Sequence, residues 1–203
     1  MSSAASSRQF ELIAGDPSLD LVNTLDWRFR DQTEELLESY GDLTGFLDQS
    51  HLLSDRQAHE LLRRTGAKAA ERVLRESRTL REALAEAIYA GLDGREPASA
   101  AVKTMERFFK AARDRQQLVP SESGFRWEFG GLESEPQFPL LLLSRAAADL
   151  VLSDRLQEVR ACGNPECRWL FLDTSKNHTR RWCDMKICGN RMKARRFKAQ
   201  HRE

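Results

Sequence analysis

Cysteine placement constrains this chain more than any other feature. All four cysteines lie in the last fifth of the 203 residues, in the pattern Cys162-x4-Cys167-x15-Cys183-x4-Cys188. Two spaced pairs of thiols suit a tetrahedral ion, with sulfurs at about 2.3 Å from zinc. In "CGNPEC" the residues Gly163, Asn164 and Pro165 form a turn, which lets both sulfurs of the first pair face one point. An iron–sulfur cluster also takes four thiolates, but the ferredoxin spacings are absent. A redox or catalytic cysteine favours Cys-x-x-Cys, or a lone thiol near histidine. His178 or His201 could ligate only by leaving a cysteine idle. The expected cofactor is therefore one structural Zn2+ per chain, held by Cys162, Cys167, Cys183 and Cys188, with no position left open for water.

The same segment is basic. Residues 160–203 hold 12 Lys+Arg against 4 Asp+Glu, a net +8, while the remainder is −7. An acidic body with a basic C-terminal module points to nucleic acid. The spacer "RWLFLDTSKNHTRRW" reads as a hairpin between the two cysteine pairs, and the sequence after Cys188 as a helix. Together they make a treble-clef-like arrangement. At 100° per residue, Arg191, Arg195, Lys198 and Arg202 share one sector of the helix. They are expected to face outward, with Phe197 as the anchor on the opposite side and Asn190, Ala194 and His201 beside it. Lys193 and Arg196 flank the stripe, and Arg180, Arg181 and Lys186 sit near the metal turn. Phosphate is the natural counterion of such a helix, and duplex DNA is the expected partner, with the chain acting as a DNA-binding regulator. The alternatives are RNA or a ribosome, a protein or membrane-surface contact, and docking of the basic helix on the chain's own acidic body.

Residues 1–159 read as a separate, mainly α domain. Helical periodicity covers 18–29, with Ser18 as cap and Leu19, Val22, Leu25 and Phe29 on one face. It recurs at 42–53 and at 54–64, which opens with a Ser54/Gln57 capping box. A long helix over 67–90 carries Val73, Ser77, Leu80, Leu84, Ala87, Ile88 and Gly91 as a buried stripe. Another follows from Pro97 to about 115, with Val102, Met105, Phe108 and Phe109 inward. "QQLVPSESGFRWEFG" predicts a β-hairpin over 116–130. Residues 138–152, apolar almost all round, predict a central buried helix with an Arg145–Asp149 pair.

No GxSxG, P-loop, GxGxxG or HExxH motif occurs, so an enzyme is not expected. The N-terminus has no apolar h-region and no run is long enough to span a bilayer, which leads to a cytoplasmic expectation without a membrane partner. Asp20, Asn23, Thr24 and Trp27 form a polar-aromatic stripe that reads as the wall of a small-molecule effector pocket or as glue between helices. One finger reads few bases, so a sequence-specific binder calls for a homodimer.

Two stretches carry a family resemblance. "CGNR" at 188–191, after "RRWCDM" and "WLFLDTSKN", resembles the CGNR zinc finger, and "SLDLVNTLD" resembles the opening of the ABATE domain that precedes such fingers. The resemblance implies a bacterial, mainly α protein with a C-terminal zinc module, acting in transcription regulation under stress. It carries the four cysteines over as ligands, and Asn190 and Arg191 as motif residues, with Asn190 a candidate hydrogen-bond donor to the thiolates.

Overall fold

The computed structural model describes residues 8–122 and 124–200. The chain is mainly α, with seven α-helices and three short antiparallel hairpins among these residues. Helix α1 (Pro17–Asn23) starts from Asp16, whose carboxylate accepts from Ser18 N at 2.9 Å, with Pro17 in the first turn. The cap is thus Asp16 and not Ser18. The helix expected to continue to 29 stops at Asn23. Thr24 O accepts from Leu36 N at 2.9 Å, and β1 (Leu25–Asp26) pairs with β2 (Glu34–Glu35), so the chain doubles back. Trp27 at the turn has φ +52°, a left-handed conformation uncommon for a large side chain.

Helices α2 (Tyr40–Gln49) and α3 (Asp55–Arg64) each open with a capping box, Ser39/Asp42 and the predicted Ser54/Gln57. Ser39 escaped the sequence reading, which began this helix two residues late. Helix α4 (Ala67–Leu92) buries Val73, Ser77, Leu80, Leu84 and Ile88 as the spacing predicts, but Gly91 is exposed. Helix α5 (Ser99–Arg113) buries Met105 and Phe108, whereas Val102 faces solvent. The hairpin of β3 (Gln117–Ser121) and β4 (Gly124–Glu128) lies where predicted. Helix α6 (Phe138–Val151) is the buried central helix, and its Arg145 and Asp149 pair at 3.6 Å.

The core forms two adjoining clusters. The first gathers α2, α3, the N-terminal part of α4 and the start of α6 around Phe46, Leu61 and Leu80. The second packs α1, the later part of α4 and the end of α6 against Leu170, Phe171, Leu172 and all four cysteines. At 1.5 Å per residue, α4 is about 39 Å long and serves both. Strands β5 (Val159–Ala161) and β6 (Leu170–Leu172) pair across the first cysteine loop. The predicted boundary at 159/160 falls inside β5. The hairpin also forms before Cys183 differently from expectation: β6 returns to β5, and the remainder of the spacer is a polar turn. There Asp173 accepts from Ser175 N, Ser175 Oγ and Arg180 N. Helix α7 (Asn190–Gln200) ends the described chain.

Candidate metal centre and basic helix

The first pair of cysteines sits on the β5–β6 hairpin. Cys162 N donates to Trp169 O at 2.8 Å, and Cys167 N to Asn164 O at 2.9 Å, which closes the loop with both sulfurs inward. Of the second pair, Cys183 precedes a wide, π-type turn at Met185–Gly189 and Cys188 lies within it. Asp184 caps this turn by accepting from Ile187 N at 2.8 Å, and Asp184 O accepts from Cys188 N. A Cβ on Gly189 would crowd Met185 Sδ and Trp182, so glycine suits the exit from this turn. Gly163 N donates to Arg181 O at 2.8 Å and ties the two halves together.

All four sulfurs lie within 4.8 Å of one another, and all four residues are buried. Cys167 Sγ and Cys183 Sγ are 3.7 Å apart. A tetrahedron of ligands at 2.3 Å has edges of about 3.8 Å, so this spacing fits a single ion. Without a cation the thiols cannot all ionise. Hydrogen bonds from Cys167 and Cys183 hold the Cys162 thiol well below its ordinary value, and the same bonds, with burial, push Cys167 and Cys183 up. A bound dication removes that conflict. His178 turns its Nδ1 to Asp173 O at 2.9 Å and stands apart from the sulfurs.

The donor to the thiolates is Asn164 and not Asn190. Asn164, buried, directs Nδ2 to Cys188 Sγ at 3.7 Å, while Asn190 Nδ2 bonds Lys186 O at 3.1 Å. The sequence reading gave Asn164 a turn-forming role alone.

The basic residues divide into two groups. Arg180 stitches the fold together: its guanidinium donates to the carbonyl oxygens of Trp182, Cys183, Leu172 and Ile13 and lies over the Phe171 ring at 4.3 Å. These bonds give Arg180 a structural part beside the nucleic-acid contact expected of it. Arg195 donates to Glu166 at 2.6 Å, and Arg30 takes the other oxygen of that carboxylate at 2.5 Å. Arg191 lies 5.9 Å from the Trp27 ring. The Arg191–Arg195 edge of α7 therefore lies beside Trp27 of the body and Glu166 of the first cysteine loop, with both arginines still exposed. Lys186, Lys193, Arg196 and Lys198 are exposed and have no acidic partner among the described residues. Arg181 is exposed and stacks on Trp182 at 5.0 Å. No residue of α7 is buried, and Phe197, expected as an anchor, is 61% exposed. Arg202 and His201 lie outside the described residues.

The polar stripe of α1 is a joint between body and metal hairpin. Asn23 Nδ2 donates to Leu170 O at 3.0 Å and its Oδ1 accepts from Leu170 N at 2.9 Å. Asp20 accepts from Ala14 N at 3.0 Å, and burial pushes its carboxyl up to about 6. Thr24 Oγ1 donates to Leu21 O and accepts from Arg81. These three residues are buried and bonded to Leu170, Ala14, Leu21 and Arg81, the packing arrangement that is the second reading of the stripe, whereas Trp27 is half-buried. It lines a cleft of about 340 Å3 with Glu11, Glu34, Trp169, Ile187 and Arg191, and Cys167, Cys183 and Cys188 also line it, so the cleft runs into the metal centre itself. Asp26, which accepts from Trp169 Nε1 at 2.8 Å and from Trp27 N at 2.7 Å, fixes both tryptophans there and was missed in the sequence.

Comparison with known proteins agrees with this architecture. Residues 15–154 match the ABATE family, described as "Putative stress-induced transcription regulator", and residues 158–201 match the CGNR zinc finger. No curated protein matches the chain.

Proposed function

The chain belongs to the ABATE family and carries a CGNR zinc finger, and on that premise we propose that it is a DNA-binding transcriptional regulator of the bacterial cytoplasm, without enzymatic activity. The observation that carries this reading is the exposed basic helix α7 set directly on the four-cysteine centre. Lys193, Arg196 and Lys198 project from it with no acidic partner among the described residues, and Arg181 and Lys186 extend the positive surface to the metal loops. One edge of the helix touches Trp27 and Glu166, but no side chain along its described length is buried, and that exposure favours an external partner over docking on the body. The metal is zinc, one per chain. Four thiolates complete its shell, so its role is structural: it anchors the start of α7 and leaves no site for reactive water.

No helix among the described residues is long and apolar enough to cross a membrane. Phosphate contacts from lysine and arginine supply affinity and salt dependence, and arginine in the major groove can read guanine. The cleft beside Trp27 is the place for a small-molecule effector, since a ligand there would touch the body and Arg191 of α7 together.

Fluorescence anisotropy on the zinc-loaded chain tests the reading. Duplex DNA should bind at low salt and outcompete structured RNA. Reversing Lys193, Arg196 and Lys198 to glutamate should weaken binding by at least about tenfold and flatten the salt slope by roughly three. Absence of binding at low salt sinks the proposal, and preference for RNA moves it to an RNA-binding finger.

A further inference from the structure

The β3–β4 hairpin pairs Leu118 with Trp127 and Pro120 with Phe125. Directly opposed residues share a face of a sheet, as do residues two apart on one strand. These four side chains therefore cover one side of the hairpin. The other side carries Gln117, Val119, Arg126 and Glu128, with Arg126 Nε donating to Glu128 at 2.7 Å. The apolar side is uncovered: Leu118 is 55% exposed, Phe125 71% and Trp127 44%. A two-stranded hairpin is marginally stable in water by itself, so an open apolar side is a cost that a partner would remove.

Trp127 also ends a groove of about 510 Å3 between α5 and α6. Its walls are Val102, Met105 and Phe109 on one side and Ala148, Val151 and Leu152 on the other. Val102 is 46% exposed and Leu152 82%. None of these side chains has a part in the metal centre or the basic helix.

We propose that this face is a homodimer interface, in which the hairpin of each copy lies in the α5–α6 groove of the other across a two-fold axis. A two-fold interface uses the same patch twice, so the patch must hold both a projection and its complement. Here the apolar ridge and the apolar groove are neighbours that share Trp127. The charge at the rim argues for a second copy over nucleic acid or a charged partner. Lys110 pairs with Glu106 at 2.6 Å and Arg145 with Asp149 at 3.6 Å, each within its own chain, which leaves Arg113 as the single excess charge among the rim residues. The area is also of the right order. At these exposures the hairpin side chains and the groove residues Val102 and Leu152 together offer on the order of 500 Å2 per copy, the size of a small interface against the ~800 Å2 a standard one takes from each partner.

The proposal goes beyond DNA binding, and its test needs no nucleic acid, so failure of either reading leaves the other standing. Sedimentation equilibrium of the zinc-loaded full chain should give the mass of two chains. Phe125→Asp and Leu152→Asp, both at exposed positions, should each raise the dimer dissociation constant by at least about tenfold. Circular dichroism and metal content should stay unchanged. Arg126→Ser, on the polar side of the hairpin, should leave the dimer intact. A wild-type chain still monomeric at roughly 100 µM overturns the proposal and gives the face to another partner. A dimer indifferent to both aspartates overturns it as well, by placing the interface elsewhere.

Discussion

Asn164 holds the metal loop by two of its atoms. Its Oδ1 accepts from Glu166 N at 3.3 Å, and its Nδ2 reaches Cys188 Sγ, so one buried side chain shapes the first loop and braces a sulfur of the second. An N–H donor to a thiolate spreads its negative charge and fixes its direction, and such partners are commonly worth 10–100-fold in metal affinity. Asn164→Ala should therefore weaken zinc binding by about tenfold or more, read by competition with a chromophoric chelator, with the four cysteines unchanged. An unaltered affinity would show that the N–H···S contact does not hold the ion. The cysteines themselves were legible because their spacing already states the chemistry. Asn164 was not, since a turn-forming asparagine and a thiolate-bonding one look alike until the second loop is folded against the first.

At the scale of elements, the long helices were legible and the short connections were not. Helix α4 keeps its stripe over 26 residues, enough turns for periodicity to prevail. Leu25 and Phe29 continue the periodic pattern of α1, yet the helix stops at Asn23, because long-range contacts override local spacing there. The main one is Arg81 on α4, 3% exposed in its side chain. It grips Glu35 on β2 through two hydrogen bonds of 2.7 Å and reaches Thr24 at 3.1 Å. This tether spans the end of α1, the β1–β2 hairpin and the middle of α4, and it sets the position of Trp27 at the cleft. Breaking a buried pair by removing one partner strands the other. Glu35 keeps some access to water and a second cation, Arg78 at 3.4 Å, so Arg81→Met should cost about 2 kcal/mol, below the range for a fully buried pair. Urea unfolding measures it. The double variant Arg81→Met/Glu35→Gln should recover part of the loss, and additive losses would show that the two residues are not coupled.

For the whole molecule, the charge asymmetry suggested an acidic body with a basic module appended, and the fold joins the two more closely than that. Cys162, Cys167, Cys183 and Cys188 lie in the same apolar cluster as Leu19, Leu84 and Leu150. Asn23 clasps Leu170 from both sides, and Leu172 N donates to Ala14 O at 2.8 Å. These contacts connect residues far apart in the chain, which is why composition could not foretell them. Their consequence is thermodynamic. If the metal held only a tethered finger, chelation would melt that segment and leave the body unchanged. With a shared core, metal removal leaves four buried thiols around an empty centre, loosens β6, and uncovers the side of α1 and α4 that it packs against. Structural zinc contributes about 10 kcal/mol or more in small zinc modules, and much of that should reach the body here. Stripping the ion with a chelator should therefore lower the melting temperature of the helical signal by ten degrees or more. The unfolding should remain one cooperative transition in circular dichroism and in the fluorescence of the tryptophans, three of which, Trp27, Trp169 and Trp182, lie near the metal loops. Two separated transitions, with the helical one unmoved by chelation, would mean that body and finger fold independently.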